Sequence, residues 1–394
     1  MFRKANVIII TILLLNGCGD SSKSSRSTRS FSEPLISKIV EKVRQEYVEK
    51  PDEKKMLDGA LNGMLTALDP YSGFFTPESY KIYTASQKGE FGGLGMSIIL
   101  IDGALKVIAP LDDTPAQKAG IKAGDMITQI DGVPIASIPV EDVMQKLHGK
   151  PGTSVSLKIA RGFATPFAIK ITRDLIIVNP IKYRVEGNVG YIRISTFNDQ
   201  TTEKLIQAIE SIQKSLNKNL RGLVLDLRNN PGGGAEQAVS VSSLFLSSGI
   251  IVQIKSRNDA HNQIYKAKSK DILKDIPIAI LINQGSASAS EIVAAALRDN
   301  HRAVLIGEKT FGKGSIQDHF TLGDHGTIKL TIARFYTPNG QEIQGKGIQP
   351  DIMLSPVTPS DPLKEMEKNT ESDDKQLQRA IDLLQGLWAV KMRP

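Results

Sequence analysis

The spacing of hydrophobic positions changes along the 394-residue chain. From residue 33 to 80, apolar residues recur every three or four positions, as at Ile36, Ile39 and Val43, which predicts amphipathic helices. Residues 87–173 instead carry short β-like runs between glycine-rich turns, with two brief helical stretches. The first half of the chain therefore predicts a helical segment followed by a β-rich domain.

Strand-like and helix-like runs alternate from residue 174 to 356. The runs 189–194 and 223–227 have the length and apolar character of buried strands, and the run 202–216 has helical spacing. Such alternation predicts an α/β layer structure. Leu377, Ile381, Leu384 and Trp388 then form one apolar helical stripe, which we expect to dock on another domain or a second subunit. The expected fold class is α/β (α+β) and multidomain, with helical N- and C-terminal segments.

The first 17 residues have the features of an export signal. Arg3 and Lys4 precede an apolar core of nine residues, 7–15, which is too short for the roughly 20 residues that span a bilayer. Cys18 follows a small residue, as in bacterial lipoprotein signals, and would be the first mature residue and a lipidation site. The alternative is an ordinary signal cleaved nearby, with Cys18 incidental. Residues 18–32 are Ser-rich and predict a tether, so we expect a periplasmic location in the bacterial cell envelope with a lipid anchor.

Composition excludes several classes of function. The formal charge is +7, and removal of Arg3 and Lys4 with the signal leaves +5, mixed with acidic residues along the chain. This argues against nucleic acid as a partner. Cys18 is the single cysteine, and the five histidines are scattered without a His-Glu-x-x-His motif. We therefore expect no metal and no cofactor.

Two segments carry residues suited to nucleophilic catalysis. Residues 285–291 place Ser288 on a strand-to-helix turn, and Lys313 follows 25 residues later between two glycines. A lysine of ordinary pKa, about 10.4, is protonated at neutral pH, but burial can lower that pKa until the amine serves as a base for serine. Gln317 could orient the amine through its amide oxygen. Taken singly, each residue has a plainer interpretation. Ser288-x-x-Glu291 is a helix capping box, Lys313 would be a solvated loop lysine, and Gln317 would be a surface amide.

A second glycine-rich turn follows the predicted strand 223–227. Its sequence, Asn229-Asn230-Pro231-Gly232-Gly233-Gly234, leaves backbone amides available. Amides of Gly232 or Gly233, with that of Ala289, would form an oxyanion hole, worth about 3–4 kcal/mol per donor. A simple tight turn before a helix is the alternative, and the pattern of a phosphate-binding loop is absent from the sequence.

Residues 115–127 and the Ile130-Asp131-Gly132 turn closely resemble a PDZ domain. Where that family keeps its carboxylate-binding loop, this chain has a glycine-rich run, and the strand after it offers an edge to which a peptide can add. A glycine-rich turn between strands is the alternative. The residues expected to bind the peptide are Gly92, Gly93, Leu94, Gly95 and Met96.

Together, these motifs resemble the C-terminal processing peptidases of the S41 family, also called tail-specific or carboxyl-terminal proteases. The resemblance covers nearly all of the chain after Glu33 and implies Ser288 as nucleophile, Lys313 as general base and Gln317 as the lysine-orienting residue. It also implies a crotonase-like α/β protease core with an inserted PDZ domain. One departure is Tyr71, where the family often has histidine, and it lies outside the catalytic motifs. The segments that carry the resemblance are 68–70, the PDZ segment, 225–234, 285–291 and 312–317.

The resemblance implies an exported serine endopeptidase that binds a free C-terminal tail through the PDZ domain and cleaves near it by way of an acyl-enzyme. Two alternatives are a catalytically silent, membrane-tethered PDZ adaptor and a Ser–His hydrolase using His301 or His319. Expected partners are proteins or peptides with free C-termini and, through the terminal helices, a second copy of the chain. The expected domains are a helical segment 33–86, a PDZ domain 87–173, a protease core 174–356 and a C-terminal linker and helix 357–394.

Overall fold

The computed structural model describes residues 33–87, 90–138, 140–177, 179–268, 270–355 and 374–391. The predicted signal 1–17, Cys18, the tether 18–32 and the linker residues 356–373 lie outside these ranges. One compact unit ends at Glu53 and contains the first helix, and the second begins at Lys54. In the described ranges, no helix is long and apolar enough to cross a membrane.

Helices and strands occupy most of the described residues. The helices are α1 (Glu33–Glu46), α2 (Glu53–Thr66), α3 (Pro77–Gln87), α4 (Pro115–Lys118), α5 (Val140–Leu147), α6 (Thr201–Ser215), α7 (Ala235–Leu244), α8 (Ala289–Asp299) and α9 (Lys375–Lys391). The strands are β1 (Gly73–Phe75), β2 (Glu90–Gly93), β3 (Met96–Ile101), β4 (Ala104–Pro110), β5 (Met126–Ile130), β6 (Val133–Pro134), β7 (Ser154–Ala160), β8 (Phe167–Thr172), β9 (Asp174–Ile177), β10 (Ile181–Glu186), β11 (Val189–Ile194), β12 (Gly222–Asp226), β13 (Ile250–Lys255), β14 (Gln263–Lys266), β15 (Ile278–Ile282), β16 (Ala303–Gly307), β17 (Ser315–Thr321), β18 (Thr327–Tyr336) and β19 (Ile352–Met353).

The largest core surrounds a six-stranded sheet in the order β10-β11-β12-β15-β16-β19. Its strands pair in parallel except for β10, which is antiparallel to β11. β12 and β15 are buried along their whole length, because helices cover both faces of the sheet. Residues of α6, α7 and α8 pack on one face, and Leu377, Ala380 and Leu384 of α9 pack on the other. The α/β expectation is confirmed, and the C-terminal stripe docks on the sheet of its own chain.

A second sheet holds the β-rich domain, in the order β3-β4-β5-β7-β8 with β6 on β5. Its core includes residues of α4 and α5, such as Ala116 and Val143. Among the described strands, β3 pairs only with β4, so its other edge carries no strand. β2 and β9 pair with each other as a separate two-stranded ribbon. The expected end of the PDZ domain at residue 173 falls directly before β9 of that ribbon.

A third, antiparallel sheet runs β1-β18-β13-β14, with β17 on β18. The sequence pattern did not assign strands β17 and β18, which form a long hairpin directly after Gly314. β1 joins the same sheet and carries the turn that contains Tyr71 to the hairpin. This sheet joins β1, the pair β13 and β14, and the β17–β18 hairpin, and Phe311, shortly before β17, donates its amide to Ser286 O in the loop after β15.

Candidate active site

Ser288 lies between β15 and α8, immediately before the first residue of the helix. Its backbone has φ 55° and ψ −113°, a conformation that is strained for a residue with a side chain. The neighbouring serines are held by backbone carbonyls: Ser286 Oγ donates to Leu227 O at 2.7 Å, and Ser290 Oγ donates to Asn230 O at 2.9 Å. These bonds fix the turn and leave Ser288 half-buried at the helix N-terminus.

Lys313 lies in a loop whose glycines cannot be replaced without displacing backbone. A Cβ on Gly314 would lie 2.5 Å from Gln344 N, and Gly312 adopts φ 91°. Burial lowers the pKa of Lys313, while the charge of Glu291 opposes that shift. A lowered pKa is what a lysine base requires.

Glu291 joins the serine turn to the lysine loop. Its Oε2 accepts hydrogen bonds from both Ser288 N and Lys313 N at 2.8 Å, so these two nitrogens are at most about 5.6 Å apart. Its Oε1 accepts from Thr310 Oγ1 at 2.5 Å and from Gly312 N at 2.8 Å. Burial raises the pKa of this fully buried carboxyl, and the hydrogen bonds it accepts oppose that shift. The sequence indicated Glu291 only as a capping residue, and its link to Lys313 was missed.

Tyr71 also belongs to this site, although sequence reasoning placed it outside. Lys313 Nζ lies 5.3 Å from the centre of the Tyr71 ring, over its face. Lys329 is near enough for the charge of Lys313 to act on it, and burial together with that charge lowers the pKa of Lys329 to about 8. The only signal in the sequence was the resemblance of 68–70 to the family motif.

Gln317 lies on β17, at a bulge in its pairing with β18. Its Nε2 donates to Ser315 Oγ at 2.9 Å and to Thr331 Oγ1 at 3.1 Å. Among the described residues, no hydrogen bond joins Gln317 to Lys313 or Ser288 Oγ to Lys313 Nζ. The orienting role of Gln317 stays a prediction.

The glycine turn after β12 packs directly on Ser288. A Cβ on Gly232, which has φ 101°, would lie 2.8 Å from Ser288 Cβ. Gly232 N already donates to Asn230 Oδ1 at 2.9 Å. In the described structure, the amides of Gly233 and Ala289 have no such acceptor, and Ala289 is in the first helical turn, where amides lack intrahelical partners. Of the three predicted oxyanion donors, these two amides are available.

A buried ion network holds the base of that turn. Asp226 accepts hydrogen bonds from Arg228 and from the Tyr191 hydroxyl, the latter at 2.8 Å. Burial alone would raise the pKa of Asp226, but the nearby guanidiniums lower it to about 2. Arg193 is one of these guanidiniums, and it also donates to Asp112, which lies between β4 and α4. The network therefore reaches the β-rich domain.

The predicted peptide-binding residues divide between two elements. Gly92 and Gly93 belong to β2 and pair with β9, whereas Leu94 and Gly95 form the turn into β3 and Met96 begins that strand. Gly95 has φ 76°, and its carbonyl accepts from Leu111 N and Thr114 Oγ1. The turn thus lies at the start of an edge strand, as a carboxylate-binding loop requires.

The β-rich domain packs on the segments beside Ser288 and Lys313. Ile99 of β3 and Ile108 of β4 form a buried cluster with Ala287, the residue before Ser288. Tyr71 and Phe311 pack against the same cluster. β3, the strand whose edge is expected to bind a peptide, therefore also contacts the serine turn through Ile99.

The histidines do not support a Ser–His site. His301 follows the C-terminal end of α8, whose 11 residues separate it from Ser288 by roughly 16 Å. His319 contacts the rings of Phe75, Tyr80 and Tyr83. In the described ranges, no cluster of three or more potential metal ligands occurs.

Residues 188–354 match the profile of peptidase family S41, residues 106–161 that of a PDZ domain, and residues 18–79 that of the activating protease CtpB N-terminal domain. A carboxy-terminal-processing protease of Bartonella bacilliformis is 46% identical over 323 residues, which cover 82% of this chain and 74% of the relative. The carboxy-terminal processing protease CtpA of Bacillus subtilis is 35% identical over 351 residues, 88% of this chain and 74% of the relative. The solved photosystem II D1 C-terminal processing protease is 31% identical, with a TM-score of 0.70 over 82% of this chain and 88% of that one.

Proposed function

The chain belongs to peptidase family S41 as a serine peptidase of the carboxy-terminal processing type, and from that premise we propose that Ser288 and Lys313 are its catalytic pair. The observation that carries the proposal is the shared acceptor Glu291 Oε2, which holds the backbones of both residues within a few ångströms. Burial of Lys313 supports its role as a base, because its lowered pKa makes the neutral amine accessible.

In this mechanism, Lys313 Nζ takes the proton of Ser288 Oγ while the oxygen attacks the scissile carbonyl carbon. The amides of Gly233 and Ala289 then stabilise the negative oxygen of the tetrahedral intermediate, and Gly232 would join them if Asn230 released it. The carbon–nitrogen bond breaks, the leaving amine receives the proton from Lys313, and an acyl ester remains on Ser288. Water hydrolyses that ester with Lys313 again as base. No cofactor takes part in these steps.

We assign tail recognition to the edge of β3 that pairs with no described strand. A substrate ending in a free carboxylate would add as a strand to that edge, with its carboxylate at the turn of Leu94 and Gly95. Met96, Ile98 and Leu100 of β3 pack against the core of the β-rich domain. A tail that adds to this strand beside these apolar residues would itself be apolar. The protein would thus act on proteins or peptides with free C-termini.

The sequence before residue 33 supports export and anchoring at Cys18 in the cell envelope, and the exposed apolar residues Leu35, Ile36 and Ile39 of α1 support a homodimer. Cell fractionation with a Cys18→Ala variant tests the anchor, since the variant should leave the membrane fraction. Light scattering of the purified protein tests the dimer, and a monomeric mass would refute it.

The central test uses the purified protein and a folded reporter with an apolar C-terminal tail. Ser288→Ala and Lys313→Ala should each abolish cleavage, while Ser247→Ala and Lys309→Ala, at exposed positions, should retain it. Substantial cleavage by either active-site variant would overturn the catalytic pair.

A matched reporter ending in a C-terminal amide tests tail recognition separately. Cleavage confined to the free-acid reporter supports carboxylate recognition by the PDZ domain. Equal cleavage of both reporters would refute that recognition while leaving the peptidase assignment intact.

A further inference from the structure

The turn before β1 fixes Tyr71 at the catalytic lysine. Asp69 Oδ1 accepts hydrogen bonds from Tyr71 N at 2.8 Å and from Ser72 N at 2.9 Å, which sets the direction of the backbone. Asp69 Oδ1 also accepts from Thr331 Oγ1 of β18 at 3.1 Å, so the turn is tied to the sheet beneath it. The position of the tyrosine ring is therefore determined by the surrounding structure.

The ring itself packs against an apolar cluster, and its hydroxyl lies near Gln344. It lies against the apolar cluster of Ile99, Ile108 and Ala287. The side chain of Gln344 lies near its hydroxyl, and Gln344 Oε1 accepts from Gly314 N at 3.0 Å. Burial raises the pKa of the phenol, so the ring stays neutral at physiological pH.

A face of the ring meets Lys313. Nζ lies 5.3 Å from the ring centre, within the range of a cation–π interaction. In the described part of the chain, no carboxylate lies within salt-bridge distance of this amine. The other charged groups that interact with it are Glu291 of α8 and Lys329 of β18, and Lys329 in turn interacts with Asp69 of the turn and His319 of β17.

We propose that Tyr71 is a positioning residue for Lys313. The face of the tyrosine ring holds the lysine amine in the catalytic pocket and stabilises its ammonium form. The inference rests on the proposed role of Lys313 as general base. During acylation, the proton of Ser288 resides on Lys313 before it passes to the leaving amine. The charge of Glu291 acts on that ammonium without a salt bridge to it, and the tyrosine ring, which lies against the amine, adds stabilisation and keeps the proton aimed at the substrate.

A titration of Lys313 tests the contact without relying on activity. Lysine labelled with carbon-13 at Cε is followed by NMR against pH in a Ser288→Ala background, and Lys313→Ala assigns the signal. Tyr71→Phe keeps an aromatic face, and Tyr71→pentafluorophenylalanine keeps the shape but reverses the ring quadrupole. Relative to Phe, the fluorinated ring should lower the pKa of Lys313 by about 0.4 to 1.5 units. Equal pKa values in these two variants would overturn the proposal.

The pH dependence of cleavage gives a second measurement. Tyr71→Leu removes the aromatic face, so the acidic limb of kcat/KM should move to lower pH by a similar amount, whereas Tyr183→Leu on exposed strand β10 should leave it in place. An unmoved acidic limb in Tyr71→Leu would refute the inference. If Lys313→Ala itself retained cleavage, the general-base role would fail instead, and the NMR comparison would still decide whether the ring binds the ammonium.

Discussion

Replacement of Glu291 by Gln tests how the serine and lysine loops are held together. All four neighbours of this carboxylate are donors: Ser288 N and Lys313 N at Oε2, and Thr310 Oγ1 and Gly312 N at Oε1. A glutamine amide has nearly the same shape but must point its NH₂ group at one of these pairs. The substitution therefore changes hydrogen bonding and charge with little change in volume.

The expected loss of stability follows from the less costly of the two orientations of the glutamine amide. With its NH₂ toward Thr310, whose hydroxyl can turn to accept, the amide leaves only Gly312 N without an acceptor, at about 1–3 kcal/mol. The bonds to Ser288 N and Lys313 N also lose their charge assistance, roughly 1 kcal/mol each. Removal of a buried charge offsets part of this loss. We expect the free energy of unfolding to fall by about 2–4 kcal/mol, and kcat by about 10²-fold because the lysine loop, released at Gly312 and held more weakly at Lys313, shifts relative to Ser288.

Calorimetry measures the loss of stability, and steady-state cleavage of the tailed reporter measures kcat. The cleavage assay is run at a temperature well below the unfolding transition of the variant. Asp271→Asn is the matched control, since Asp271 is a mostly buried carboxylate paired with Arg302 on another part of the core. It should lose comparable stability with kcat unchanged. A kcat for Glu291→Gln within about threefold of the native value, under 1 kcal/mol of activation energy, would refute the positioning role.

Gly232→Ala should lower kcat by more than about 10²-fold, because its Cβ would lie 2.8 Å from that of Ser288, the proposed nucleophile, whereas Gly234→Ala, with φ −62° and no contact under 3.7 Å, should be tolerated. Reporter kinetics on both variants check this, and a poorly active Gly234→Ala with an active Gly232→Ala would contradict it. Lys329→Met removes a positive charge from beside Lys313, so below about pH 8, where Lys329 is charged, the pKa of Lys313 should rise and the acidic limb of kcat/KM should move to higher pH. A shift to lower pH would show that the two amines do not interact as described.

The local chemistry of the site was predictable because it depends on short segments. Ser288 and Lys313 stand out through their neighbours: small residues at a strand-to-helix turn in one case, flanking glycines in the other. The glycine turn was predicted for the same reason, since only glycine accepts the φ of 101° at Gly232 and the close contact with Ser288. In each case the backbone requirement is written into consecutive residues.

Contacts between distant segments were not predictable from those patterns. Tyr71 and Lys313 are separated by 242 positions, and no periodicity links the turn after α2 to the loop before β17. The occupation of Gly232 N by Asn230 depends on a side-chain rotamer within the folded turn. The pairing of β17 with β18 positions Gln317 beside Thr331, which the isolated sequence of either strand does not specify.

The capping box illustrates why the plain and the catalytic interpretations of Ser288-x-x-Glu291 are not alternatives. As a cap, Glu291 satisfies the Ser288 amide at the helix start, an ordinary stabilising bond. The same oxygen accepts the amide of Lys313, and the other oxygen accepts from Thr310 and Gly312, so the cap is also the attachment point of the lysine loop. A carboxylate with four donors is rigid only when all four are present. Mutations that loosen the lysine loop, at Gly312 for example, should therefore also destabilise the start of α8 and displace Ser288, which precedes it.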